Sequence, residues 1–467
     1  MQKRFLQSSL FLVAFFSLQQ LQAQDKNDKL YKERSLEVKQ EIFGTKNSAF
    51  EVNSVPEELK DESAVIIARS VNYFMDKKNR LKITLFGPAS VNRLSYLTTI
   101  REKVKINDQS ALDEYASLEY RKQIDKTTSY GLFSKLLDKA FTFIGVRVTK
   151  PDGKVIEQNT DEEILTKDQK KLKEGKIAIS NLQIGDIVDY YIRIEEVQDD
   201  ANKVLRPYFF LMAGEHPIMN LAIRFQIDKK AGIAYKAANG APDFKQSKTD
   251  DGDFVFELNK TNLPKIVSQM WSNAVRQLPY IELKYKTIGG ISKPFISGVV
   301  TTAISQEDYL KEVQPILDQF MYKAQTPPQV TSFIKDVKEE LDKSLSDKLK
   351  NIPEDSLAKM IFYVWQHHWG YNFYPNGILA SDCSINRYSP YSFYTMLGMH
   401  KLMQEYGVEN ELVVVTSINS TKTENIIDYG EYDLFLRTKS DKPVYFFMDN
   451  RFNSLSEIPI RYQGQEA

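Results

Sequence analysis

The sequence predicts an α+β protein: a β-rich, sandwich-like domain in the N-terminal half, then a core of helices followed by antiparallel sheet. Three observations carry this expectation. Residues 60–290 alternate apolar and polar positions between Pro, Gly, Asn and Asp turn clusters. From about residue 307 the apolar period becomes helical. Three short β-type runs then close the chain, Glu411 to Thr416, Tyr432 to Arg437 and Val444 to Met448. The boundaries that follow are 1–23 for a signal peptide, 24–55 for a charged lead-in, 56–290 for the β-rich domain, 291–307 for a linker and 308–467 for the core.

Lys3 and Arg4 precede a mostly apolar stretch from Phe5 to Leu18, and the chain turns polar around Ala23. That is the pattern of a secretory signal cut near Ala23. The other reading is an uncleaved anchor helix; the unbroken run from Leu10 to Phe16 is short for a bilayer span. No later window is long and apolar enough to span, so the expectation is an exported protein, periplasmic or at the cell surface, without a transmembrane segment in the mature chain.

In the β-rich half, Val65, Ile67, Val71 and Tyr73, then Leu81, Ile83 and Leu85, alternate as strands with one buried face. Pro151-Asp152-Gly153-Lys154 between Gly145–Thr149 and Val155-Ile156 marks a hairpin, since proline presets φ and glycine supplies positive φ. Gly185-Asp186 leads into a strand over Ile187–Ile194. Helices are expected at Ala111–Arg121 and around Leu132–Lys139, and a solvated loop or helix face over the charge run Asp161–Lys176. Asp250–Asp253 reads as the turn between strands at Ala222–Ile227 and Phe254–Leu258; the spacing of a calcium loop is missing.

In the C-terminal half, Asp308–Met321, Pro328–Asp342 and Pro353–Trp369 read as helices. A loop rich in Tyr, Asn, Pro and Gly follows, and then a largely apolar helix from Pro390 to Tyr406, started by Ser389-Pro390 and ended by Gly407.

Composition narrows the function. Lys plus Arg and Asp plus Glu are both 62, and this balance argues against a phosphate-neutralising, nucleic-acid-binding face. One cysteine excludes a disulfide framework and a multi-Cys zinc site, and four histidines leave little for a His-based metal site, so neither cofactor nor metal is expected.

The element order of the C-terminal half resembles the transglutaminase-like superfamily, whose fold is related to papain-like cysteine peptidases. Arg147–Ile156, with its Pro-Asp-Gly-Lys turn, and Leu182–Tyr190, with its Gly-Asp start, resemble the β-rich domain of unknown function that precedes such cores in exported bacterial proteins. In such architectures a further small β-domain follows the segment matching Ile458–Ala467; its absence here reads as a fragment or a shortened member.

The resemblance implies a cysteine at the start of the core helix, a histidine opening the second strand and an aspartate ending the third. Physically, the helix dipole and an imidazolium favour the thiolate while the carboxylate orients the imidazole. Counting back from Gly407 by the family's spacing reaches Ser392; counting back from Asp449, which closes the third strand, reaches Asp433. Cys383 lies on the preceding loop, in Ser381-Asp382-Cys383, which has the alternative alignment to the family's Gly-Asp-Cys. No histidine occurs after His400, so the family's imidazole position is empty, and serine facing aspartate has no base of suitable pKa. The expectation is therefore a pseudoenzyme, with no catalytic residues, that binds a peptide, a protein or an envelope component. The alternative is an active cysteine peptidase or amide-transfer enzyme using Cys383 with His367 or His368. Trp365, Trp369, Tyr371 and Tyr388 belong to an aromatic-rich stretch that reads either as a ligand groove or as packing of an irregular loop.

Overall fold

The computed structural model describes residues 29–84, 87–130, 134–160, 163–169, 171–199, 208–266, 273–285, 298–322, 328–345, 352–373, 393–447 and 454–465. It is a mixed α and β structure built mostly from sheet. A first helix, α1 (residues 29–44), and a turn of helix, α2 (Ser48–Glu51), precede the long hairpin β1 (Ala64–Thr84) and β2 (Gly87–Ile106). After α3 (Gln109–Tyr115) come β3 (Ser117–Asp125), β4 (Thr128–Tyr130), β5 (Ser134–Leu136), β6 (Asp138–Thr149), β7 (Val155–Glu157), β8 (Ile164–Gln169), β9 (Leu172–Ala178) and β10 (Ile187–Asp199). Then follow β11 (Tyr208–Leu211), β12 (Ile218–Ile227), β13 (Gly232–Ala238), β14 (Lys245–Lys248), β15 (Phe254–Leu263), α4 (Ala274–Gln277), β16 (Tyr280–Tyr285) and β17 (Gly298–Val300).

Eleven of these strands form one sheet in the order β14-β15-β12-β1-β2-β10-β6-β3-β9-β8, with β7 paired to β6. A second sheet, β11-β16-β13-β17, lies over one face. The two share an apolar core in which Val146, Val188, Ile223 and Phe225 meet Ile233, Tyr235, Ile281 and Leu283. Alternation along the strands sends the odd-numbered residues of β6 and β10 to the other face, where α1 lays Val38 and Ile42 on Phe143 and Tyr191.

That second face buries charge. Asp189, 1% exposed, receives the guanidinium of Arg101 at 2.9 Å and that of Arg147 at 2.6 Å. Arg101 sits over the Phe50 ring at 4.1 Å and Arg147 over the Phe43 ring at 4.4 Å, so the end of α1 and the turn of α2 cover the two cations with aromatic faces. Lys103 donates to the carbonyl of Phe50 at 2.7 Å, and Arg34 of α1 pairs with Glu195 at 2.8 Å. The N-terminal lead-in is thus a cover for the sheet.

The expected Pro-Asp-Gly-Lys hairpin is present: the amide of Gly153 donates to Lys150, that of Lys150 to Lys154, and Gly153 has φ of 88°. Several expectations are corrected. The segment expected to be helical around Leu132–Lys139 contains, in its described residues, β5, which pairs with β4, and the start of β6, where Asp138 and Lys139 pair with Gln198 and Val197 of β10. The helix expected over Ala111–Arg121 stops at Tyr115, after which β3 pairs with β9. The charge run Asp161–Lys176 forms β8 and most of β9, at the edge of the sheet, where charged side chains reach water from either face. Asp250–Asp253 joins β14 to β15 rather than β12 to β15; Gly252 takes the positive φ, and β13 intervenes earlier in the chain.

The C-terminal part has α5 (Gln306–Tyr322), α6 (Pro328–Leu345), α7 (Glu354–Phe373) and α8 (Phe393–Glu405), then the antiparallel sheet β18 (Asn410–Thr416), β19 (Tyr432–Thr438) and β20 (Tyr445–Phe446). α8 is apolar around its circumference, burying Met396, Leu397, Met399, Leu402 and Met403, so it lies inside the core as the central helix. It ends as expected at Gly407 (φ 76°): the amide of Gly407 bonds to Gln404 and that of Val408 to Met403, the two bonds of a Schellman cap. Among the described residues no helix is long and apolar enough to cross a membrane.

Candidate functional site

Of the positions that the element order implies, Asp433 is described. Ser392, Cys383, Tyr388 and Asp449 fall outside the described residues. Trp369 and Tyr371 are placed in the last turns of α7, and the description of those two does not extend to their side chains.

Asp433 is in β19 opposite Val415, near the start of the strand. Its carboxylate accepts the hydroxyl of Tyr462 at 3.0 Å. Tyr462 stacks on Phe447, and Phe447 stacks on Phe435 with ring centroids 4.4 Å apart. Asp433 is therefore an acceptor held by a phenol from the C-terminal segment. Its neighbour Tyr432 points to the other face and donates to the carbonyl of Ile304 at 2.6 Å.

The histidines sit elsewhere. His400, in α8, is 6% exposed; its Nδ1 is 2.6 Å from Asn410 Oδ1, and the Gln404 amide lies 3.1 Å from its Nε2. An amide donating to Nε2 leaves the proton on Nδ1, pointing at Asn410, and burial pushes the imidazole's pKa down. This is a satisfied, neutral core histidine. His368, on α7, places Nε2 2.5 Å from Glu340 Oε2 of α6, and the His367 ring meets the His368 ring edge-on. Nε2 makes no aligned hydrogen bond there, so Glu340 stands at ion-pair distance from the ring; a carboxylate beside an imidazole is one half of a thiol-enzyme relay. Glu340 was invisible in the sequence reading because the pairing joins two helices through tertiary packing, with no motif linking them.

Trp365 corrects the aromatic-groove expectation. It is fully buried among Leu357, Ile361 and Met399. Gly398 of α8 lets it pack closely: a Cβ there would lie 3.1 Å from both Trp365 and Ile334. Trp365 is a core residue because its position on α7 faces α8.

The groove that the structure does show lies along β18, and sequence reasoning missed it. It has a volume of about 520 Å³. Its floor is Val413, Phe435, Tyr445 and Phe447, with Tyr462 on one wall and Leu310 of α5 on the other. Glu411 and Arg437 pair across the strands at one end, and Val415, the partner of Asp433, lies at the other. The only sequence signal was the β-type run Glu411–Thr416, which shows no sidedness because both faces are apolar.

The loop between β18 and β19 is fastened to the β-rich half. Arg276 donates to the carbonyls of Ser420 and Ser417 at 3.0 and 3.1 Å. Lys284 of β16 holds Glu431 at 2.7 Å and Glu282 at 2.9 Å, and Tyr280 shares a hydrogen bond with Thr421. Burial, then the facing Glu431, pushes the Glu282 carboxyl above its ordinary pKa.

Among known proteins, residues 138–267 match the family described as a domain of unknown function with solved structure, DUF3857. The match spans less than half the chain. It covers β6 to β15, yet β1 and β2 from outside it lie between the matched strands β10 and β12 in the sheet. No match is found among curated proteins. The solved structures similar to the chain include a protein from Parabacteroides distasonis described as "a putative protease", with TM-score 0.44, 11% identity, and coverage of 82% of this chain and 67% of that one. Another is a Legionella pneumophila protein described as "a putative nutrient binding protein", with TM-score 0.21, 6% identity, and coverage of 74% and 95%.

Proposed function

We propose that the C-terminal half is a transglutaminase-like core that has lost thiol catalysis, and that the protein is exported and works by binding a peptide, a protein or a cell-envelope component. The observation that carries this reading is Asp433. It stands where the resemblance requires an imidazole, and its carboxylate is taken up by Tyr462. Without an imidazole there, a nucleophile at the head of α8 has no partner to remove its proton and no cation to hold a thiolate. The β-rich half, fastened to the β18–β19 loop, supplies a second contact surface.

A second reading is favoured by one observation, the His368–Glu340 pair at 2.5 Å. There Cys383 would be the nucleophile, His368 the base and Glu340 its orienter, giving a cysteine peptidase or amide-transfer enzyme.

The test compares Cys383→Ala with Trp369→Ala/Tyr371→Ala in retention of the purified protein on extracted envelope material. The binding reading expects Cys383→Ala to change retention by less than about twofold and the aromatic pair to weaken it by about tenfold, about 1.4 kcal/mol. Amide-bond turnover that vanishes in Cys383→Ala would overturn it in favour of the enzyme.

A further inference from the structure

We propose that the groove along β18 takes an extended polypeptide from another molecule as an added strand; this rests on the binding reading and names its site. Among the described residues β18 is an edge strand, paired on one side with β19. In an antiparallel pair, each residue sends its N–H and C=O either both to the partner or both away from it. The side-chain amide of Gln306 donates to the carbonyl of Val414 at 3.2 Å, so Val414 faces outward, and with it Leu412 and Thr416. The amide of Ile418, on the same parity, donates to the carbonyl of Arg461 at 2.6 Å. This edge thus already takes strand-like bonds: one from the chain's own C-terminal segment, and one from a glutamine standing in for a strand amide.

The surroundings fit a polypeptide. A strand laid beside β18 sends alternate side chains to its two faces. On one side they meet Val413, Phe435 and Phe447; on the other they meet Leu310. Leu310 and Ile458, both lining the groove, are 38% and 37% exposed, and Ile418 near its end is 41% exposed, so the rim is apolar. The charges at the rim are internally matched, Glu411 with Arg437 and Glu307 with Lys311, which favours an uncharged ligand. Main-chain hydrogen bonds would supply affinity and the two faces of the groove selectivity, the mode by which peptides join exposed sheet edges.

The probe is a fluorescein-labelled octapeptide of alternating valine and threonine, capped at both ends, beside the same peptide methylated on every backbone nitrogen. Fluorescence polarisation should show saturable binding of the first and at least about tenfold weaker binding of the second. Leu412→Pro, which removes an outward N–H and no ladder bond, and Leu310→Glu, on the exposed rim, should each weaken the first peptide by about tenfold. Leu310→Glu serves as the variant if Leu412→Pro melts early. Absence of saturable binding overturns the proposal, as does equal binding of the methylated peptide. So does a concentration-dependent dimer that Leu310→Glu dissolves, because the occupant would then be a second copy. Envelope retention unchanged by Leu310→Glu, with an inert Cys383, would refute the groove and leave the binding reading standing.

Discussion

Replacing Lys284 with methionine removes the cation that joins the β-rich half to the β18–β19 loop. In the wild-type protein its ammonium lies 2.7 Å from Glu431, 2.9 Å from Glu282 and 3.7 Å from Asp428. Its side chain is 13% exposed, and those of Glu282 and Glu431 are 10% and 17% exposed. The variant therefore leaves two nearly buried carboxylates facing each other. Taking one partner from a buried pair costs about 3 to 5 kcal/mol; the water that reaches Asp428 on the open side reduces this to roughly 2 to 4. At about 2 to 4 °C per kcal/mol for a domain of this size, the calorimetric Tm should fall by about 4 to 16 °C. The loss should also depend on pH. Glu282 has a folded pKa raised by burial and by Glu431, so between its unfolded and folded pKa values the native state binds more protons than the unfolded chain. Its contribution is therefore most favourable below the ordinary carboxylate range and declines as pH rises through the raised value. Without Lys284 that decline must steepen, so the variant's deficit should be larger at pH 8 than at pH 5. A deficit below about 1 kcal/mol, or one that is flat across that range, would refute the reasoning.

Two further perturbations test the fold. Asp189→Asn removes the carboxylate charge that Arg101 and Arg147 share beneath Phe43 and Phe50 and leaves one neutral acceptor oxygen; it should cost about 3 kcal/mol in urea unfolding, with loss of less than about 1 kcal/mol counting against a buried network. Gly145→Ala places a methyl 2.3 Å from Tyr191 Cε1, and it should cost about 1 to 3 kcal/mol, relieved when combined with Tyr191→Leu; a neutral single variant would contradict the packing.

Local signals in the sequence located the hairpin at Gly153, the cap at Gly407 and the four long helices, because proline, glycine and apolar spacing act within a few residues. What stayed hidden depends on distant partners. The β1–β2 hairpin lies between strands that follow it by some hundred residues of chain, and nothing local announces that placement. Leu132–Lys139 has a composition that suits helix, and pairing of β5 with β4 and of Asp138 and Lys139 with β10 overrides it. The charged lead-in gave no hint that it would cover a sheet, since Arg101, Arg147 and Asp189 look like surface residues until Phe43 and Phe50 close over them. At the site, Asp433 could be singled out from chain order, whereas its partner Tyr462 and the His368–Glu340 pair required the fold.

Loss of thiol catalysis is tested most directly at Cys383, by its rate of iodoacetamide alkylation in the native protein from pH 5 to 9. Loss of catalysis predicts a rate that rises with an unperturbed thiol pKa of about 8.5, or a thiol reached only after unfolding. Fast alkylation well below that pKa, lost in His368→Ala, would show a thiolate held by an imidazolium and contradict the pseudoenzyme reading.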